Sequence, residues 1–260
     1  MEVFTVLLST LIGLLSPVGL ITDAALEDAI EDQLHDAEFL EVRVDNRPSY
    51  DLLSGKVDRI RVAGRGVYPI PELRVALLDL ETDPVDLRFG RLTQGQVSLQ
   101  DPLQFVTRVV IDVEDINDAL RSPAVTEVLQ DIGINALGST VGQIQQADLI
   151  EPRLDLEDSR IRLTGTLQEQ GTDDELAIAV EFDLGLEQGH QFTIQDPRLV
   201  ANGAEFPSEL LLPLVQGLNQ QLTLRNLEPL GITARLLELD IGPEGIEAIA
   251  FVRAESSVFP

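Results

Sequence analysis

The chain holds 260 residues, of which 44% are hydrophobic, and its 18 Lys and Arg stand against 45 Asp and Glu for a net charge of −27. So acidic a balance excludes ordinary nucleic-acid binding, which needs cations against phosphates, and the apolar content excludes an acidic disordered tail. Without cysteine there is no disulfide, thiolate zinc site or thiol nucleophile, and two histidines, His35 and His190, are too few for a His-rich metal site.

The first element is an uncharged run of nineteen residues, Val3 to Ile21, close to the ~20 that a helix needs to cross a bilayer core. It is a poor cleavable signal, because Glu2 stands where cations belong and no A-x-A-like site lies near Ser16–Gly19. Pro17 kinks or ends any helix here. Two readings stay open: an uncleaved anchor or signal, and an apolar helix buried in the domain or lying on a membrane. Residues 1–22 are therefore set apart from one domain over 23–260. Asp23 then caps an expected helix with Leu26, Ile30, Leu34 and Ala37 on one face.

From Val42 the pattern turns to strands. Val57, Arg59, Arg61, Ala63 and Arg65 fall on one side of an extended run, with Ile60 and Val62 on the other. Further strands are expected over Leu73–Leu80 and Phe105–Val113, after which Asp112 is a plausible N-cap for a helix carrying Ile116, Ala119 and Leu120. Ser122-Pro123 reads as a fresh N-cap and N1 pair for Val125, Val128, Leu129 and Ile132, ended by Gly133.

The second half repeats strands, helix, strands. Leu154, Leu156, Ile161 and Leu163 alternate around a polar turn at 157–159. The clearest strand is Leu176 to Leu186, with Leu176, Ile178, Val180, Phe182, Leu184 and Leu186 all facing one way. A helix over Pro207–Leu222, kinked at Pro213, is the element to cover it. Gly231–Ile241 and Ile246–Arg253 form a hairpin. The fold class is α+β, with extended antiparallel strands wrapped on a few helices.

Catalytic patterns are weak. Asp173-Asp174-Glu175 and Asp155/Glu157/Asp158 read as solvated turns in so acidic a chain, and there is no Walker A, GxSxG or HExxH. His190 follows Gly189 as an exposed turn residue, and His35 reads as a surface residue. No enzyme, cofactor or metal is indicated. The cations are unevenly placed: between Arg43 and Arg74 seven stand against four acids, and Lys56 is the single lysine of the chain. Arg59, Arg61 and Arg65, with guanidinium forks suited to phosphate, are candidates for a headgroup or membrane surface. In so acidic a chain the plainer reading is that they pair with neighbouring carboxylates.

Several blocks carry a resemblance. PSYDLLSGKVDRIRVAGRGV (Pro48–Val67), LETDPVDL (Leu80–Leu87), EDINDALRSP (Glu114–Pro123), LNQQLTLRNLE (Leu218–Glu228) and GITARLLELDI (Gly231–Ile241) together resemble the LmeA-like phospholipid-binding family, in its cyanobacterial-type members. VDRIRVAGRG and EDINDALRSP are the distinctive blocks. The resemblance implies a cell-envelope protein, its periplasmic side favoured, with a fold similar to the tubular lipid-binding (TULIP) proteins: a long, highly curved antiparallel sheet wrapped around a long helix and enclosing an apolar groove. It implies a phospholipid or glycolipid partner at a membrane surface, and no catalytic residues.

The leading expectation is thus a non-catalytic lipid-binding or lipid-transfer protein. Its acyl groove would be lined by Leu154, Leu156, Ile161, Leu163, Leu176, Ile178, Val180, Phe182 and Leu184. The same aliphatic faces suit a closed core, since groove wall and core strand share one pattern. That second expectation is a structural or assembly factor of the envelope whose acidic surface meets a protein partner. A glycolipid-modifying enzyme is a third, and it requires a convergent acid pair that the sequence does not display.

Overall fold

The computed structural model describes residues 34–46, 56–86, 99–126, 147–157, 159–169 and 175–258. The apolar run Val3–Ile21, most of the helix expected after Asp23, the positions Val128, Leu129, Ile132 and Gly133, and the acids Asp158, Asp173 and Asp174 lie outside them. The chain divides into two compact units: residues 1–111, 224–239 and 247–260 form the first, and 112–223 with 240–246 form the second.

Six strands build the sheet to which the first unit contributes most. They are β1 (Asp36–Asp45), β3 (Arg59–Ile70), β4 (Leu73–Thr82), β6 (Leu103–Asp112), β12 (Ile232–Gly242) and β13 (Gly245–Ala254), in the order β1-β3-β4-β6-β13-β12. A two-stranded ribbon pairs β2 (Lys56–Val57) with β5 (Val85–Asp86). Burial alternates over Leu40–Arg43 of β1 and the first half of β3, with Leu40, Val42, Ile60 and Val62 buried and Glu41, Arg43, Arg59 and Arg61 exposed. Antiparallel pairing aligns Val42, Val62 and Leu80 across three strands, and these are 3%, 2% and 3% exposed. Phe105, Val75 and Val252 are equally enclosed. The inner face of this sheet is a closed aliphatic core.

The chain is strand from Asp36, so the expected helix does not reach Ala37. Pairing with the edge of β3 from Asp36↔Tyr68 to Asp45↔Arg59 outweighs a local helical spacing. Val57 does not share the side of Arg59, because it is buried opposite Val85 in the ribbon. Gly66 has φ of +56° and lies across from Glu38 in β1. A Cβ there would run into the Glu38 carboxylate, which instead crosses the gap to Arg74, bound through Nε at 2.9 Å and the second nitrogen at 3.1 Å. That hydrogen bonding by Arg74 holds the Glu38 carboxyl below its ordinary pKa.

The second unit is built on α1 (Val113–Leu120) and the strands β7 (Ala147–Glu157), β8 (Arg160–Glu169), β9 (Glu175–Glu187), β10 (Gln191–Ala201) and β11 (Ala204–Glu205), followed by α2 (Ser208–Gln221). The strand order is β11-β10-β9-β8-β7. Asp112 is the N-cap of α1 by backbone, but its side chain makes no cap hydrogen bond. Ser122 does cap the turn beginning at Pro123, accepting from Val125 N–H at 3.3 Å. Pro213 stands inside α2, as expected.

Two similar irregularities shape this second sheet. In β7 the register shifts between Ile150 and Arg153, at Glu151-Pro152, and in β10 between Gln195 and Arg198, at Asp196-Pro197. Glu151 and Asp196 have φ of +49° and +45°, and each following proline has no N–H to offer a ladder. Both are β-bulges, which bend a strand and increase its twist.

The structure is therefore mostly antiparallel strand with few short helices. It has two main sheets in place of the single long one expected, and among the described residues the longest helix is the 14-residue α2. Nor do the two halves simply repeat. The C-terminal hairpin of β12 and β13 returns to complete the first sheet beside β6.

Candidate functional site

The second unit assembles one continuous aliphatic face. On β9, Leu176, Ile178, Val180, Phe182, Leu184 and Leu186 alternate, as the sequence indicates. The register sets Ile161 of β8 opposite Phe182, Leu163 opposite Val180 and Leu167 opposite Leu176. Beyond β8, Leu154 of β7 stands opposite Leu163 and Leu156 opposite Ile161. On the other flank, Phe192, Ile194 and Leu199 of β10 stand opposite Leu186, Leu184 and Val180. All nine positions predicted for the groove thus share one face of one sheet.

Burial separates this face from that of the first sheet. Leu156, Ile161 and Leu199 are buried at 6%, 7% and 4% exposure. Leu154, Leu163, Leu176, Ile178, Val180, Phe182, Leu184, Phe192 and Ile194 are only half-buried. No such gap exists around Val42, Val62 and Leu80. The reverse side of the second sheet is charged: Arg160 reaches Asp183 at 3.1 Å and Glu181 at 3.5 Å, and Arg162 reaches Glu181 at 3.4 Å.

Both long flanking strands are sealed by an asparagine. Asn117 of α1 is buried. It donates to Leu154 C=O at 2.8 Å and accepts from Leu154 N–H at 2.7 Å, satisfying both backbone groups on the open edge of β7. Its second donated bond goes to Val113 C=O at 2.9 Å. Asn219 of α2 accepts from Ile194 N–H at 2.8 Å, and Leu222 C=O accepts from Phe192 N–H at 2.9 Å. The helices thus replace the neighbouring strand that each edge lacks.

His190 does stand in a turn, but it is buried at 7% exposure, which corrects the exposed placement. Its C=O accepts from Thr223 Oγ1 at 3.3 Å, and its Nδ1 has no hydrogen-bond partner. The α2–β10 junction folds over the turn, and a Gly-His dipeptide in sequence does not announce that. His35 is exposed, as expected.

Arg59, Arg61 and Arg65 line the solvent face of β3, in the first unit. Arg59 pairs with Glu81 at 2.9 Å, Arg61 with Asp45 and Glu81 at 3.2 Å each, and Arg65 with Asp79 at 3.0 Å. The same face carries Arg108, bound to Glu247 through Nε at 2.6 Å and its second nitrogen at 2.9 Å. That hydrogen bonding lowers the Glu247 pKa and raises that of Arg108. Every one of these guanidinium groups already faces a carboxylate.

A second feature of the second unit went unread in the sequence. Between α1 and the β7 edge lies a pocket of about 490 Å³, whose polar lining comprises Glu114, Asn117, Asp118, Arg121, Arg153 and Asp155. Four of these six belong to the EDINDALRSP block, a helical spacing that turns them toward β7. Arg153 and Asp155 alternate with Leu154 and Leu156 along β7 and stand beside Thr164 and Arg162 of β8, so the pocket's charged side chains lie on the reverse side of the sheet from the aliphatic face. Among the described residues no three His, Asp or Glu side chains gather as a metal ion would require, and no helix is long and apolar enough to cross a membrane.

The family model described as LmeA-like phospholipid-binding matches residues 15–251 of the chain. No curated protein and no solved structure matches it.

Proposed function

Because the chain belongs to the LmeA-like phospholipid-binding family, we propose that it is a non-catalytic lipid-transfer protein that lays acyl chains along the aliphatic face of β7 to β10. The setting is a membrane of the cell envelope, on its periplasmic side. The observation that carries this reading is the exposure contrast: matched aliphatic strand faces are closed in one sheet and half-open in the other. Each buried CH₂ contributes about 0.8 kcal/mol. A sixteen-carbon chain laid on this face would therefore gain roughly 10 kcal/mol before ordering costs. Such binding needs few specific polar contacts. The bulges at Glu151-Pro152 and Asp196-Pro197 support a curved, TULIP-like sheet, since they bend the two strands that flank the central pair.

Native mass spectrometry of the purified full chain, with lipid extraction from the same sample, tests the proposal. Phospholipid at near-unit occupancy is expected. Ile178→Trp should abolish it, because Ile178 sits in the middle of the aliphatic row and an indole there takes the room of an acyl chain. A clean lipid-free mass that survives incubation with vesicles would refute the carrier. The protein would then be an envelope scaffold whose second sheet is a core, and Ile178→Trp would merely overpack it.

A further inference from the structure

Helix α2 runs antiparallel beside β10, from the Val200 end of the strand, where β11 pairs, to the Phe192 end, where its last turn is bonded. It covers the aliphatic side of that strand. Gln195 and Arg198, which point to the reverse side opposite Asp183 and Glu181, are exposed. Leu199 on the aliphatic side is 4% exposed, and Leu211 of α2 is 5% exposed.

The two ends of α2 are held differently. At the C-terminal end, Asn219 accepts from Ile194 N–H, Leu222 C=O accepts from Phe192 N–H and from the Gln191 side chain, and Thr223 donates to His190 C=O. Toward the N-terminus, the last tie to β10 is Phe206 N–H to Leu199 C=O at 2.8 Å, ahead of the helix. Among the described residues no hydrogen bond or ion pair joins residues 207–218 to the sheet. The helix is also weak there. Its N-cap is Pro207, with no side-chain cap bond. Pro213 leaves Glu209 C=O without its helical donor, and Gly217 follows one turn later. Leu211 is the one buried side chain among those described in α2.

We propose that residues 208–212 are a lid on the aliphatic face, hinged over residues 213–217, that opens at Leu199 to admit and release an acyl chain. The inference rests on the carrier reading above and adds the way in. The bonds at residues 219–223 fix the pivot. Unwinding the hinge is easy because proline and glycine are the poorest helix formers, and the one buried side chain that must leave is Leu211.

Transfer of a fluorescent phosphatidylcholine between vesicles by the full chain reads lid opening as a rate, and native mass spectrometry reads equilibrium occupancy. Gly217→Ala adds a methyl with no atom within 4 Å of it. It should slow transfer by about fivefold at unchanged occupancy, the helix preference of Ala over Gly. Leu211→Ala should act the opposite way and speed transfer by about tenfold. A wild-type rate in both variants, or a loss of rate matched by a loss of occupancy, overturns the lid. Amide exchange in the delipidated full chain tests the hinge with no lipid present. Leu212 and Leu214–Gln216 should exchange about tenfold faster than Leu218–Gln221, and Gly217→Ala should narrow that gap. Equal exchange along α2 overturns the lid even where lipid is carried. Unequal exchange in a protein that takes up no lipid refutes the carrier, and with it the acyl chain as what the lid admits, but keeps the hinge.

Discussion

Val62 and Val180 form a matched pair that measures whether the second sheet is open. Each sits inside an antiparallel sheet between two aliphatic neighbours, Val42 and Leu80 for the one, Leu163 and Leu199 for the other. Val62 is 2% exposed, whereas Val180 is half-buried. Val→Ala removes two methylene equivalents, about 1.6 kcal/mol of transfer free energy when burial is complete. At Val62 the closed core adds a cavity of roughly 50 Å³ at about 24 cal/mol per Å³, or close to 1.2 kcal/mol. The total there is about 2–3 kcal/mol. At Val180 water already reaches the side chain and no enclosed cavity forms, so about 0.8 kcal/mol is expected. The change in strand propensity is common to both and cancels. Urea unfolding of delipidated protein, followed by far-UV circular dichroism, should show a midpoint drop from wild type that is larger for Val62→Ala than for Val180→Ala by about 1 M. Each variant is read on the transition of its own unit. Equal losses would mean that Val180 is as enclosed as Val62, and the open face would be wrong. Restoring phospholipid should raise the cost at Val180 and leave that at Val62 unchanged.

Other outcomes follow from single contacts. Asn117→Ala strips partners from the N–H and C=O of Leu154, and should destabilise the second unit by about 2–4 kcal/mol, with faster amide exchange at Leu154; an unaffected exchange rate would show that water replaces the side chain without cost. Gly66→Ala meets both a positive φ and the Glu38 carboxylate, so a loss of about 1–3 kcal/mol is expected in a thermal melt, partly recovered in Gly66→Ala/Glu38→Ala; an identical loss in the double variant would assign all of it to the backbone. The Glu247 pKa is depressed in the folded state, so its contribution is fully present above the ordinary carboxylate value near 4.5 and is lost as pH falls below it. The stability gap between the wild type and Glu247→Gln should therefore narrow on acidification below about pH 4.5, and a gap that widens there would contradict the pairing with Arg108.

The strands were legible where one side faces water, because burial then writes a period of two into the sequence. That is why β3, β4, β6, β8 and β9 fall where alternation places them. Strand β10 shows no clean alternation in the sequence, because the bulge at Asp196-Pro197 shifts its register partway along the pleat. The start of β1 was misread for a different reason. Leu34 and Ala37 have helical spacing, but Ala37 is held extended by pairing with Val67 of β3, a neighbour more than twenty residues away. The insertion of the C-terminal hairpin beside β6 is likewise a non-local choice with no local signature. Burial itself was least legible of all. Val62 and Val180 occupy indistinguishable sequence patterns, and what differs is the space above them.

The EDINDALRSP block illustrates how a distinctive sequence can have two physical reasons at once. Asn117 closes the β7 edge, a requirement of any sheet that is to keep an exposed aliphatic face without pairing with another chain. Glu114 and Arg121, one helical turn to either side, and the adjacent Asp118 line the pocket at that same edge. Asn117→Asp separates the two roles. The acid keeps the acceptor for Leu154 N–H but loses the amide donor, and it aims negative charge at the C=O groups of Val113 and Leu154. The second unit should therefore lose stability in Asn117→Asp, read as a lower midpoint in a thermal melt. The Arg121→Gln/Arg153→Gln variant, with its edge intact, loses only exposed ion pairs and should melt as the wild type does. Equal losses in the two variants would instead make α1 one cooperative structural element, with its exposed polar residues as important to the fold as Asn117.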